Sequence, residues 1–170
     1  MRLFIGVKTG CEPQLAALSQ ELKKLGRGNF TREENLHMTL KFLGDVPPGK
    51  VGAVSDAIAH AKPGVFTLWC EGLQTFGRDI ISAKVGGELK KLSALHQSLE
   101  TSLERCGFEA EQRAFKPHVT LVRAFRPFGA FDLSSISSVR KDFEVNEVIL
   151  FESTREEGKL VYKPLFTHRL

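Results

Sequence analysis

His37-Met38-Thr39-Leu40 recurs as His118-Val119-Thr120-Leu121, one four-residue pattern written twice in a 170-residue chain. Strand side chains alternate between faces with period two, so a His and a Thr two residues apart point the same way. Each copy predicts an imidazole beside a hydroxyl, with Met38 and Leu40, or Val119 and Leu121, turned to the packed side. Imidazole titrates near about 6.5, so of two histidines facing one substrate, one can be neutral while the other is charged. Those are the parts of a concerted general acid and general base. A phosphodiester with a good intramolecular leaving oxygen suits the pair: one His takes a proton from water while the other gives one to the departing oxygen. The threonine hydroxyls would donate hydrogen bonds to the non-bridging phosphate oxygens, where negative charge accumulates in the transition state.

The rest of the pattern must supply elements that hold two such strands together. Pro13 stands where a helix begins without wasting a donor, Leu15, Leu18, Leu22 and Leu25 mark one helical face, and Gly26 closes it. Between Glu88 and Cys106, Leu89, Leu92, Leu95, Leu99 and Leu103 form a second such face, closed by Gly107. Gly26 precedes His37 by the same interval as Gly107 precedes His118, and Leu18 and Leu22 map onto Leu99 and Leu103 in that register. Strand, helix, glycine stop, loop and motif strand therefore occur twice in order, which marks a duplicated unit. Motif strands are expected at Leu36–Leu43 and His118–Arg123, and others at Arg2–Val7, Phe66–Leu73, Ile80–Val85, Phe143–Glu152 and Lys159–Phe166. Gly77-Arg78-Asp79 turns a hairpin, Val51, Val54, Ile58 and Ala61 fit another helix, and Arg27–Asn35 reads as polar loop. The expected architecture is α+β, one domain over residues 1–170. Two related halves would pack about a pseudo-twofold axis, with mostly antiparallel sheets lining a shared cleft and helices outside.

Composition bounds the function without fixing it. The chain is 42% apolar with 13 Phe, enough for a real core, and its charged residues are mixed rather than blocked, which excludes disorder and low complexity. A net charge of +4 is compatible with a phosphate-bearing partner and does not demand one. Cys11, Cys70 and Cys106 lie far apart with no C-x-x-C spacing, so neither a disulfide framework nor a zinc knuckle is indicated, and a reducing cytoplasm fits. The apolar run before Lys8 is too short for a signal-peptide core, and no segment approaches the roughly 18 apolar residues of a membrane helix. A soluble cytoplasmic monomer with no membrane contact is expected.

The motifs and their flanks resemble a known family. H-M-T-L and H-V-T-L look like the paired H-x-T-x signatures of the two-histidine (2H) phosphoesterase superfamily. R-L-F-I-G-V at the start, K-F-L-G-D-V after the first motif and K-P-H-V-T-L-V-R at the second resemble its RNA 2′,3′-cyclic phosphodiesterase branch, historically called 2′-5′ RNA ligases. The resemblance covers essentially the whole chain. It implies a bilobal 2H-phosphoesterase-like fold, hydrolysis of RNA 2′,3′-cyclic phosphate ends to 2′-phosphate, and reversible 2′-5′ ligation as the same chemistry run backwards. By position it implies His37 as proton donor to the leaving O3′, His118 as proton acceptor from water, and Thr39, Thr120 and Arg123 as phosphate-binding residues.

Other readings stand beside these. Arg123 lies an odd number of residues from His118, on the wrong face of a regular strand; a strand end or a bulge near Val122 would re-aim it, and failing that Arg126 is the substitute. Phe42 could stack on a base, but its parity with Met38 and Leu40 favours the core. Lys41 and Lys116 read as solvated surface, and His60, His96 and His168 as structural or solvent-facing. A zinc site usually needs a third protein ligand that neither motif supplies, so no metal or other cofactor is expected. The alternatives are a noncatalytic RNA-end binding protein and a phosphodiesterase acting on small cyclic nucleotides.

Overall fold

A computed structural model describes residues 1–170. In chain order the elements are β1 (Arg2–Val7), α1 (Glu12–Leu25), β2 (Gly26–Phe30), β3 (Met38–Asp45), α2 (Val51–Ala59), β4 (Phe66–Phe76), β5 (Ile80–Gly87), α3 (Leu89–Arg105), β6 (His118–Pro127), β7 (Lys141–Val145), β8 (Glu147–Glu156) and β9 (Lys159–Arg169). The strands form one antiparallel sheet in the order β7-β4-β5-β6-β3-β1-β8-β9, with β2 added alongside β6. Read outward from the centre, each half repeats one plan: a motif strand (β6 or β3), the strand preceding its helix (β5 or β1), then two more (β4 and β7, or β8 and β9). The halves interleave along the chain, because the first-motif half takes its outer strands from the C-terminal end. The two motif strands meet at a single ladder pair, Met38 opposite Val119, and β2 ties the first half along β6 of the second.

The helices form where the leucine spacing places them, and their apolar faces bury. Leu15 and Leu22 of α1, Val54 and Ile58 of α2, and Leu92, Leu95, Leu99 and Leu103 of α3 join strand residues in one core cluster. Pro13 sits in the first turn of α1, and Lys23 and Lys24 in its last, where positive charge suits the carbonyl end. Both glycine stops hold, for different reasons. Gly107 adopts a positive φ of 82°, the left-handed conformation that ends many helices. Gly26 is extended, and a Cβ there would lie 2.5 Å from the Phe125 ring.

Two sequence expectations need correction. Arg27–Asn35 is not all loop: Gly26–Phe30 is β2, paired with β6, and Glu33–Asn35 form a 3-10 turn. The strand expected at Phe143–Glu152 is two strands, broken at Asn146, which pair with β4 and β1 in opposite halves of the sheet. In β7 only Phe143 and Val145 bury, on one face, whereas Val148 to Phe151 bury on both. That change from alternation to a continuous apolar run marks the passage from an edge to an interior position. Elsewhere boundaries move by a few residues; β3 starts at Met38, and β6 runs on to Pro127.

Each motif strand carries an irregularity at the same place in the repeat. Against β1, Thr39 pairs with Gly6 and Lys41 with Ile5; against β5, Thr120 pairs with Ser82 and Val122 with Ile81. Leu40 and Leu121 are therefore extra residues, and an extra residue shifts the parity of everything after it. Leu40 and Lys41 both turn inward, as do Leu121 and Val122. The next residues, Phe42 and Arg123, return to the cleft face with the His and Thr side chains.

Candidate active site

His37, Thr39, His118, Thr120 and Arg123 line one cavity of about 70 Å³, together with Thr31, Phe42 and Tyr162. The two motifs thus share a single site at the junction of the halves. Met38, Leu40, Val119 and Leu121 are buried behind it, as strand alternation requires. His37 Nδ1 donates to the Asn35 carbonyl at 2.7 Å, and His118 Nδ1 donates to the Lys116 carbonyl at 2.7 Å. A carbonyl only accepts, so both Nδ1 atoms carry hydrogen and each neutral ring keeps its lone pair on Nε2. His37 Nε2 accepts from the Thr39 hydroxyl at 2.8 Å. Lys8 braces the segment ahead of His37, its Nζ donating to the carbonyls of Glu34 and Leu36 at 2.5 and 3.1 Å.

Both rings are drawn toward the neutral form. Burial, followed by the positive charges of Lys8, Arg123 and His118, lowers the pKa of His37 to about 4 against the Asn35 bond, which raises it. Burial also lowers that of His118, opposed by the Lys116 bond and aided by Arg123. A site whose groups repel added positive charge is prepared for an anion, because a bound phosphate cancels those interactions.

Aromatic rings frame the two imidazoles. Phe4 and Tyr162 lie 4.7 and 5.1 Å from His37 between ring centres, and Phe76 lies 4.5 Å from His118. Tyr162 was missed by the sequence reading; its only local signal is that the chain's one tyrosine falls on a strand. From the small cavity a groove of about 630 Å³ extends past Thr39, Phe42 and His118 to Phe76, His96, Arg113, Phe115 and Lys116.

The sequence candidates sort clearly. Arg123 reaches the cavity by way of the extra residue Leu121, so Arg126 is not needed there, and its guanidinium lies 3.5 Å from Asp79. Phe42 is corrected: it is 65% exposed on the cleft face instead of packing in the core. Lys41, expected at the surface, is buried. His60 donates from Nδ1 to the Asp56 carbonyl at the end of α2, and His168 lies 3.2 Å from the Ala61 carbonyl, both structural. His96 stacks on Phe115 at 4.2 Å and borders the groove. No three His, Cys, Asp or Glu side chains gather in a group that could hold a metal ion.

Comparison with known proteins adds a family. Residues 11–155 match the 2′-5′ RNA ligase superfamily. The chain is 35% identical over 136 residues to a Geobacillus stearothermophilus protein named RNA 2′,3′-cyclic phosphodiesterase, which covers 75% of this chain and 43% of that one. It is 28% identical over 166 residues to the protein of the same name from Aeropyrum pernix, covering 90% of this chain and 93% of that one. The crystal structure of TT0787 from Thermus thermophilus has a TM-score of 0.79 at 25% identity and covers 100% of this chain and 98% of its own. The chain spans less than half the length of the Geobacillus relative and nearly all of the other two.

Proposed function

Because this chain belongs to the 2′-5′ RNA ligase superfamily, we propose that it hydrolyses RNA 2′,3′-cyclic phosphate ends to 2′-phosphates by paired acid and base catalysis from His37 and His118. The observation that carries this reading is the convergence of both histidines, both threonines and Arg123 on one cavity of about 70 Å³. A water oxygen attacks phosphorus while His118 Nε2 takes its proton; the bond from phosphorus to O3′ breaks, and O3′ takes a proton from His37 Nε2. Thr39, Thr120 and Arg123 hold the non-bridging oxygens, where preorganised donors act on developing charge. As the acid, His37 must be protonated, and in the free site its pKa of about 4 disfavours that. The phosphate supplies the missing counter-charge, so the acid form is created by the substrate it serves. With a 5′-hydroxyl in place of water, the same groups run 2′-5′ joining.

Phe42 is the position in the first half equivalent to Arg123 in the second. We assign it to stacking on the base next to the cyclic phosphate, with Arg113 and Lys116 drawing in the backbone. The chain is taken as one domain of two duplicated halves that acts as a monomer. Three free cysteines are compatible with a cytoplasmic setting, and no helix is long and apolar enough to cross a membrane. The test is to incubate the protein, in chelator, with an oligonucleotide ending in a 2′,3′-cyclic phosphate. A terminal 2′-phosphate is expected. Binding without turnover would replace this reading with an RNA-end binder, and rescue by zinc would replace it with a metal enzyme.

A further inference from the structure

The two connections that lead from a helix into a motif strand match in register and are held in different ways. After α1, residues 26–30 become β2 and pair along β6 as far as Pro127, and Thr31 N donates to the Leu121 carbonyl at 2.8 Å. The equivalent residues after α3 face the equivalent stretch of β3 and form no ladder with it. Residues 106–117 contain neither strand nor helix, and a groove of about 550 Å³ runs between Gly107–Gln112 on one side and Lys41 to Pro47 on the other.

One buried ion pair reaches across. Lys41 Nζ donates to the Glu109 carbonyl and to Glu100 Oε2, each at 2.8 Å, and the same carboxylate oxygen accepts from Glu111 N at 3.0 Å. The side chains of Lys41 and Glu100 are only 7% and 9% exposed. Lys41 faces inward because of the extra residue Leu40. Its counterpart in β6 is Val122, and that of Glu100 in α1 is Ser19, both buried and uncharged. The other half therefore packs these positions without charge, and a buried ion pair is often no better for stability than apolar residues of similar volume. Stability alone does not call for the pair.

We propose that Lys41 and Glu100 are positioning residues for the second motif, replacing the missing ladder and fixing the connection that delivers His118. The path is short. Glu109 and Glu111 are pinned to the pair, Phe115 stacks on His96 of α3, and the Lys116 carbonyl accepts from His118 Nδ1. Loosening the connection would release the bond that sets the tautomer of His118 and would open its ring to water. His118 also faces Arg123 on its own strand and His37 from the other, and shares its groove with His96 of α3, Lys41 of β3, and Glu111, Arg113 and Lys116 of the connection. Of these the variants below change only Lys41 and Glu111, and losing the Glu111 carboxylate would by itself move an imidazole midpoint down, against the expected shift.

This inference rests on the proposed role of His118, and its test separates the two. The ring protons of His118 and His37 are titrated by NMR in the wild type, in a Lys41→Met/Glu100→Leu double variant, and in Glu111→Pro, and turnover of the cyclic-phosphate oligonucleotide is measured in parallel. Removing both charges leaves no orphaned ion, which favours a folded double variant. Glu111→Pro deletes one pinning N–H from an exposed loop without touching the core; because it also removes a carboxylate that accepts from Arg113 N at 3.2 Å, Glu111→Gln, which keeps the N–H, is titrated as its reference. The expected result is an upward shift of the His118 midpoint toward the ordinary imidazole value, smaller in Glu111→Pro, with the His37 midpoint unmoved. In the double variant kcat should fall about 10- to 100-fold, more than KM rises, as misplacement of a catalytic group predicts. If the His118 midpoint stays at its wild-type value in Glu111→Pro and in whatever folded double variant is obtained, the positioning role is overturned. A wild type without turnover overturns the functional reading instead, and leaves the His118 titration to decide the positioning role.

Discussion

His37 is enclosed by Phe4, Phe151 and Tyr162 and feels Lys8 and Arg123, whereas His118 has Phe76 beside it and Arg123 as its charged neighbour. Identical backbone bonds therefore hold two imidazoles in unequal surroundings. The active form carries one proton on the pair, with His37 protonated and His118 neutral, so kcat/KM, which reports free enzyme, should be bell-shaped, with one limb near the His37 midpoint of about 4 and the other at the His118 midpoint, which is also lowered. In the complex the anionic phosphate raises both, so the kcat profile should sit at higher pH than the kcat/KM profile. Superimposable profiles would remove the phosphate from the acid's activation. His37→Ala and His118→Ala should each lower kcat on the order of 10²- to 10⁴-fold, the usual worth of an acid or base. At this scale the sequence was highly legible, because His and Thr at spacing two fix a shared face whatever the surrounding fold. The difference between the two rings was not, since it arises from Phe4, Tyr162 and Lys8, side chains brought in from other strands and turns.

Strand parity is where the sequence reading and the structure part, and the extra residues Leu40 and Leu121 are the cause. In β6 the adjacent apolar residues Leu121 and Val122 break the alternation, but the irregularity near Val122 was expected only because the resemblance put Arg123 at the phosphate and its odd offset from His118 did not. In β3 the same step is Leu40-Lys41, and a lysine disguises it, so Phe42 was expected in the core. Phe42 instead stands exposed where the second half has Arg123. A base stacked on an aromatic is worth about 1–3 kcal/mol, so Phe42→Ala should lower kcat/KM for an RNA end by about 10- to 100-fold. The check is a matched oligonucleotide whose terminal sugar carries the cyclic phosphate but no base; an unchanged loss on that substrate would exclude stacking. β2 was unreadable for another reason: Gly-Arg-Gly-Asn has no strand pattern of its own, and it becomes a strand because Gly26 and Gly28 let its backbone lie close against β6, where Cβ atoms would come within 2.5 and 2.7 Å of Phe125 and Val122.

For the molecule as a whole, the repeat was visible in the sequence and the interleaving of its halves was not, because hydrophobic periodicity reports how a strand is buried and carries no record of its partner. Holding an uncharged His37 inside the fold also has a global cost. An unfolded chain takes up that proton near pH 6.5, the folded chain only near 4, so the unfolded state binds more protons between those values and stability declines as pH falls across that window. A displacement of that size is worth about 3 kcal/mol, and His118 adds to it with the same sign. Urea unfolding of wild type and His37→Asn from pH 7 to 4 should show a steeper acid loss in the wild type; parallel curves would contradict the buried neutral ring. Mechanically, the sheet is uneven. Where β8 and β9 are joined by ten pairs, β3 and β6 are joined by one, Met38 with Val119. A single rung resists bending far less than a ladder, and here the halves are tied instead by β2, which runs along β6 from Val122 to Pro127, so the seam directly beneath the two histidines is the least laced part of a continuous sheet.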